Sequence, residues 1–139
     1  MGIDVGKARI GIALSEGSLA LAHETLSTNQ ESVDKVSQLV SAKNVSKVYV
    51  GLPLSLSGQR TPSTEMAIGF ARELAEKASA EVFMIDERLT TVSSLRLLRE
   101  AGKDAKSAKS IIDSESARLL LDFALSSPGV AKPIGELDA

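Results

Sequence analysis

Apolar residues recur along the chain in two rhythms. Short β-rich runs occupy residues 1–5 (Met-Gly-Ile-Asp-Val), 9–15 (Arg-Ile-Gly-Ile-Ala-Leu-Ser) and 19–26, with turn residues at Gly6-Lys7 and Gly17-Ser18. They predict a meander of three antiparallel strands. Two more such runs lie at 47–52 (Lys-Val-Tyr-Val-Gly-Leu) and 81–86 (Glu-Val-Phe-Met-Ile-Asp). Helical spacing of Val33, Val36, Leu39 and Val40 predicts a helix capped by Asn29 and running to about Lys43. Another helix, about 62–79, separates the last two strands, and Thr61-Pro62 suits its N-cap and first position. Strand, helix, strand implies a parallel crossover. Two further helices are predicted, from Thr91 or Ser93 to near Gly102 and from about Ser110 to Ser126. The order β-β-β-α-β-α-β-α-α predicts an α/β domain over residues 1–127, three antiparallel strands followed by two parallel ones. Residues 128–139, with Pro128, Pro133 and Gly135, read as a loose C-terminal tail.

A length of 139 residues fits one domain with a real core and leaves no room for two large lobes. Apolar residues at 43% and charged ones at 24% are ordinary for a folded globular chain. No apolar run approaches the roughly 20 residues of a membrane span. The opening Met1-Gly2-Ile3-Asp4 lacks the basic start and apolar stretch of a secretory signal, so a cytoplasmic protein with no membrane partner is expected. The absence of cysteine excludes disulfides, thiolate nucleophiles and cysteine zinc sites. The one histidine, His23, sits in an apolar run and reads as structural rather than as a base. A net charge of −2 is wrong for an indiscriminate polyanion binder, so any nucleic-acid contact must be a local patch. Residues 96–109 supply one: Arg96, Arg99, Lys103, Lys106 and Lys109 against Glu100 and Asp104. Such a run can contact backbone phosphates or serve as a solvated surface. With aromatics at 3%, extensive base stacking is not expected.

Acids at three places stand out. Asp4 ends the first strand, where its carboxylate can project past the sheet while Gly6 permits a tight turn; an Asp-Gly hairpin signal is the plain structural reading. Asp86 and Glu87 close the fifth strand, and successive strand residues point to opposite faces, so one of the two can face a site. Asp113 heads a helical stripe of Ser116, Ala117, Leu120, Leu121 and Ala124, an unusual place for an acid, although a first-turn acid is also favoured by the helix dipole. If these carboxylates converge they repel by roughly 4 kcal/mol per close pair at an effective dielectric of about 20, and a cation must offset that. Oxygen donors without cysteine or clustered histidine suit Mg²⁺, with Mn²⁺ as a substitute. Bound at a phosphodiester, such ions activate water and stabilise the leaving oxygen without a histidine. The polar loop 53–62, with Gly58 and Arg60, ends at a helix N-terminus and can receive a phosphate.

Four segments carry a resemblance: Gly2-Ile3-Asp4-Val5-Gly6 with Arg9-Ile10-Gly11-Ile12-Ala13; Val50-Gly51-Leu52-Pro53-Leu54 with Ser57-Gly58; Asp86-Glu87-Arg88-Leu89-Thr90-Thr91; and Lys109-Ser110-Ile111-Ile112-Asp113 running into Ala117. In this order and spacing, over residues 2 to about 125, the chain resembles the YqgF/RuvX family, named both for Holliday junction resolvase and for pre-16S rRNA nuclease activity. The resemblance implies an RNase H-like fold with a five-stranded mixed sheet and a metal-dependent nuclease that matures the 5′ end of 16S ribosomal RNA. It gives Asp4, Glu87 and Asp113 the places of the catalytic, metal-holding acids, with Asp86 as a substitute for Glu87. Expected substrate contacts are Lys7, Arg9, Ser57, Gly58, Arg60, Arg88, Lys106 and Lys109. Related junction resolvases carry an acid on the strand matching residues 47–52, where this chain has Gly51-Leu52-Pro53, so the fifth strand must supply it.

Other readings stay open beside it. Cleavage of branched DNA is one, and a catalytically silent nucleic-acid-binding module of the same fold is another. A sugar or acetate kinase relative shares an Asp-Val-Gly turn, but those enzymes close two lobes that this length does not provide. Precursor rRNA and branched DNA are both admissible partners, and monomer and homodimer are equally compatible with the sequence.

Overall fold

In the computed structural model, alternation along the first strand already sorts the sheet into two faces. In β1 (Gly2–Val5), Ile3 and Val5 point one way, Gly2 and Asp4 the other. The structure describes residues 1–101 and 106–137, those at 97–101 and 106–111 by backbone alone. β2 (Arg9–Glu16) and β3 (Leu19–Ser27) complete the antiparallel meander. β4 (Lys47–Leu52) lies parallel to β1, and β5 (Glu81–Asp86) parallel to β4.

Helix α1 (Ser32–Ala42) begins three residues after Asn29. The Asn29 side chain accepts from the Glu31 N–H, forming a turn that leads into the helix. α2 (Pro62–Lys77) has Thr61 as its N-cap, with the Thr61 and Thr64 side chains bonded reciprocally to each other's backbone N–H. Thr64 also donates to the Pro53 carbonyl, tying the start of α2 to the end of β4. Val33, Val36 and Val40 of α1 and Ile68, Ala71 and Leu74 of α2 cover the face that carries Ile3, Ile10, Ile12, Val48, Val50 and Met84.

The opposite face is covered by α4 (Lys106–Ser126), whose Ala117, Leu120, Leu121 and Ala124 pack on Ala13, Tyr49 and Ile85. α4 starts a turn earlier than Ser110, so Asp113 stands inside the helix and not in its first turn. A Cβ on Gly11 would lie 2.0 Å from the Asp113 carbonyl oxygen, so glycine is what lets the α4 backbone approach β2. Because Gly11 is the register partner of Asp4, that approach brings Asp113 down beside the first strand's acid. α3 (Val92–Ala101) precedes α4, its Val92 fully buried.

The sheet has six strands, in the order β3-β2-β1-β4-β5-β6, and not the five expected. β6 (Lys132–Pro133) pairs antiparallel with β5 and comes from the segment read as a loose tail. Ile134 and Leu137 pack against the α1/α2 core, and Pro133 is tolerated because β6 is an edge strand. Among the described residues no helix is long and apolar enough to cross a membrane.

Candidate active site

Asp4, Glu87 and Asp113 are buried carboxylates in a chain that buries few polar side chains. Asp4 comes from the α4 face of β1. Gly51 of β4 shares that face, because Gly2 is in register with Tyr49, two residues before Gly51. A Cβ on Gly51 would lie 2.6 Å from Glu87 Oε2, so the glutamate lies over the glycine. Glu87, from the turn after β5, thus fills the place that a β4 side chain would take.

Asp86 ends β5, and the chain turns at Glu87. Glu87 opens the 3-10 turn Glu87–Leu89 and is 1% exposed. The Asp86 side chain caps that turn, accepting from the Arg88 N–H at 2.9 Å, and grips the Arg88 guanidinium at 2.7 Å near the surface. Hydrogen bonding from Arg88 holds the Asp86 carboxyl below its ordinary value. Asp86 is therefore committed to Arg88, and Glu87 is the acid that turns inward.

Two arginines hold the buried acids. Arg96 Nη2 donates to Asp4 Oδ1 at 2.7 Å and to Glu87 Oε2 at 2.8 Å, while its Nε donates to Glu87 Oε1 at 3.0 Å. The two acceptor oxygens on Asp4 and Glu87 are therefore no farther apart than those two Nη2 bonds laid end to end. Arg9 Nε donates to Asp113 Oδ2 at 2.7 Å. Arg9, Arg96 and Asp113 line one cleft of about 240 Å³ with Gly6, Lys7, Ala8 and Ser63. Asp4 and Glu87 thus meet through Arg96, which lines the same cleft as Arg9 and Asp113.

The remaining expected contacts divide. Lys7 and Arg9 line the cleft. Ser57, Gly58 and Arg60 lie on the loop after β4, where Ser57 Oγ is 3.0 Å from Ser55 Oγ and Arg60 pairs with Glu65 at 2.9 Å. A Cβ on Gly58 would stand 3.0 Å from Arg88 Nη1, so this loop packs against Arg88. Lys106 and Lys109 lie outside the residues whose side chains are described, as do Arg99 and Lys103. Arg96 departs from the expected basic run: its side chain is 12% exposed and engaged with acids. It follows the buried Val92 by four residues, and that spacing is the signal that turns it inward. His23 is on β3 beside Glu24 and lines a different cleft with Met1, Lys47 and Leu125, at the opposite end of the sheet.

The donor chemistry fits a hard divalent cation. Every candidate ligand is a carboxylate oxygen, and the chain has no cysteine. One turn beyond Asp113 on α4, Ser116 Oγ is buried without a hydrogen-bond partner among the described residues, a polar atom that a hydrated ion could satisfy. As the side chains stand, however, no group of three acids among the described residues forms a ready cage; Arg96 bonds Asp4 and Glu87, and Arg9 bonds Asp113.

Comparison with known proteins decides the family. A family model described as RuvX, Holliday junction resolvase, matches residues 1–127. The chain belongs to the RuvX family. Among its relatives is a protein of Leifsonia xyli named "Putative pre-16S rRNA nuclease", 41% identical over 129 residues, covering 90% of this chain and 83% of the relative. A Bacillus cereus protein of the same name is 38% identical over 133 residues, covering 91% and 97%. In fold, this RuvX chain is similar to Thermus thermophilus RuvC in complex with a Holliday junction substrate, with a TM-score of 0.57 at 16% identity over 95% of this chain and 96% of that one. The RNase H-like α/β class expected from the RuvX resemblance is therefore the fold observed, with one strand more.

Proposed function

We propose that this chain is a metal-dependent nuclease that hydrolyses phosphodiester bonds in processing the 5′ end of pre-16S rRNA, in the cytoplasm where that precursor is made. The observation that carries the reading is the sharing of one cationic nitrogen by two buried carboxylates, Asp4 and Glu87, on an arginine that lines the same cleft as Asp113. The names of relatives at 37–41% identity support the choice of substrate.

Asp4, Glu87 and Asp113 would hold Mg²⁺, or Mn²⁺ in its place. Once bound, the ion supplies activation of water and stabilisation of the leaving oxygen. The chain's own residues do the rest. Asp4 is fixed by a strand and Asp113 by a long helix, so two of the three carboxylates come from rigid elements. Arg9 orients Asp113. Lys7 and Arg9 give the cleft positive charge that draws a phosphate toward the acids, with Ser63 in the first turn of α2 opposite them. Ser57, Gly58, Arg60 and Arg88 form an outer contact for the strand on either side, and Lys106 and Lys109 add phosphate contacts at the head of α4.

A second reading, cleavage of a four-way DNA junction, is favoured by the likeness of the fold to RuvC. Incubating the purified protein with labelled precursor rRNA and with a four-way junction, each with Mg²⁺, Mn²⁺ or EDTA, separates the two. Cleavage of the rRNA precursor alone, abolished by EDTA, is the expected result. Junction cleavage alone would replace the rRNA reading, and cleavage of neither would overturn both.

A further inference from the structure

We infer that Arg96 competes with the metal ion for Asp4 and Glu87, so that guanidinium and divalent cation hold the same carboxylates in turn and Arg96 sets the metal affinity of the site; this rests on the metal-dependent reading above. Arg96 engages both oxygens of Glu87 and one of Asp4, with the three side chains 12%, 1% and 0% exposed. Its Nη2 atom is bonded to both carboxylates that would hold the ion. A divalent cation held by those carboxylates would repel the guanidinium. The two cations therefore exclude one another.

The moving part is the arginine side chain. Glu87 lies over Gly51 and is fixed from its own backbone, since Thr90 Oγ1 donates to the Glu87 carbonyl at 2.8 Å and accepts from the Val92 N–H at 3.1 Å. That hook joins the glutamate's turn to the start of α3, and buried Val92 anchors the helix itself. Arg96 lies one turn along α3 and lines the cleft, so its side chain has open space to move into. Guanidinium does not titrate in the working range, so pH does not relieve the competition; only an ion or a substitution does.

The test uses the full chain after EDTA treatment and dialysis, as parent, Arg96→Gln, Arg96→Lys and Asp4→Asn, titrated calorimetrically with Mn²⁺ alone. Removing the competitor should tighten Mn²⁺ binding in Arg96→Gln by about tenfold, as expected when a blocked state is taken out of a pre-equilibrium. Arg96→Lys should fall between the two. Arg96→Gln should also melt lower than the parent without metal, because two buried carboxylates lose a charged partner, and show a larger upward shift with Mn²⁺. An affinity equal to or weaker than the parent's in Arg96→Gln, with Asp4→Asn weakened, would show a plain structural ion pair and overturn the inference. Mn²⁺ binding untouched by Asp4→Asn would overturn the metal-site reading itself. Since Arg96→Gln can fail to fold, the parent is also followed by the arginine Nε–H signals in NMR during Mg²⁺ titration. The Arg96 signal should move while that of Arg118, paired with Glu115 on α4, stays; an Arg96 signal that does not move counts against competition.

Discussion

Gly51 and Glu87 share one space: a Cβ on residue 51 would stand 2.6 Å from Glu87 Oε2 and 3.2 Å from its Cγ, with Leu120 Cδ1 at 2.9 Å on the other side. A flexible surface glutamate would step aside, but this one is buried and held by Arg96 through both oxygens. Gly51→Ala should therefore cost about 1–3 kcal/mol, the usual scale of overpacking in a core. It should also lower nuclease turnover, because the acid moves. Urea unfolding and a cleavage assay read the two effects; an alanine variant with parental stability would mean that Glu87 is not held against β4.

The neighbouring acid answers to pH. Arg88 holds the Asp86 carboxyl below its ordinary value of 3.8. A carboxyl lowered by folding contributes stability above its unfolded value, and that contribution is lost as pH falls through the lower, folded one. The pair is partly exposed, so its contribution is small. Asp86→Asn keeps an acceptor for the Arg88 N–H and removes the charge. The variant should be slightly less stable than the parent at pH 7, and the gap should close below pH 3.8. Urea unfolding at a series of pH values measures it; a gap that persists in acid would assign the loss to packing.

The core strands and their order were legible because alternating apolar runs met Gly-rich turns at the right spacing. Asp4, Glu87 and Asp113 were each visible as acids in awkward places: a strand end, a double-acid strand end and the head of an apolar stripe. Strand alternation could not choose between Asp86 and Glu87, since Glu87 lies in a turn capped by Asp86 itself. Arg96 was harder to see. In a run rich in arginine and lysine its charge looks like surface, and only its four-residue distance from Val92 points inward. β6 escaped notice because a two-residue edge strand containing proline has no periodicity to read. The early start of α4 was hidden by polar residues that carry no apolar repeat before Ser110.

With Arg96 engaged by acids, the lysines of the basic run are the candidates for contact with nucleic acid. Replacing Lys103, Lys106 and Lys109 by Gln should flatten the dependence of log affinity on log salt by up to about three, close to one per lost phosphate contact. Discrimination between substrates should change little, because phosphate contacts carry no sequence information. Fluorescence anisotropy with an RNA duplex at several salt concentrations tests this, and an unaltered slope would make the run a solvated surface.

Asp4→Asn tests the centre of the site. The substitution keeps size and one acceptor oxygen, so it should leave the fold intact. Arg96 bonds two buried carboxylates, and with Asp4 neutral it still has Glu87. Stability without metal should thus stay close to the parent, since one buried charge and one charge-assisted bond are lost together. Affinity for Mn²⁺ should fall, because one oxygen of the site loses its charge. Turnover should drop by about a hundredfold or more, the scale on which losing preorganised electrostatic stabilisation slows an enzyme. No histidine can step in as a base, since His23 lies on β3 and lines the cleft at the far end of the sheet. Nucleic-acid binding should survive, because Lys7, Arg9 and the loop after β4 are untouched. A melting curve, a Mn²⁺ titration and a cleavage assay on protein free of host nucleases check the three parts. Full cleavage by Asp4→Asn would place the reacting phosphate elsewhere and leave the Asp4–Arg96–Glu87 cluster as a purely structural one.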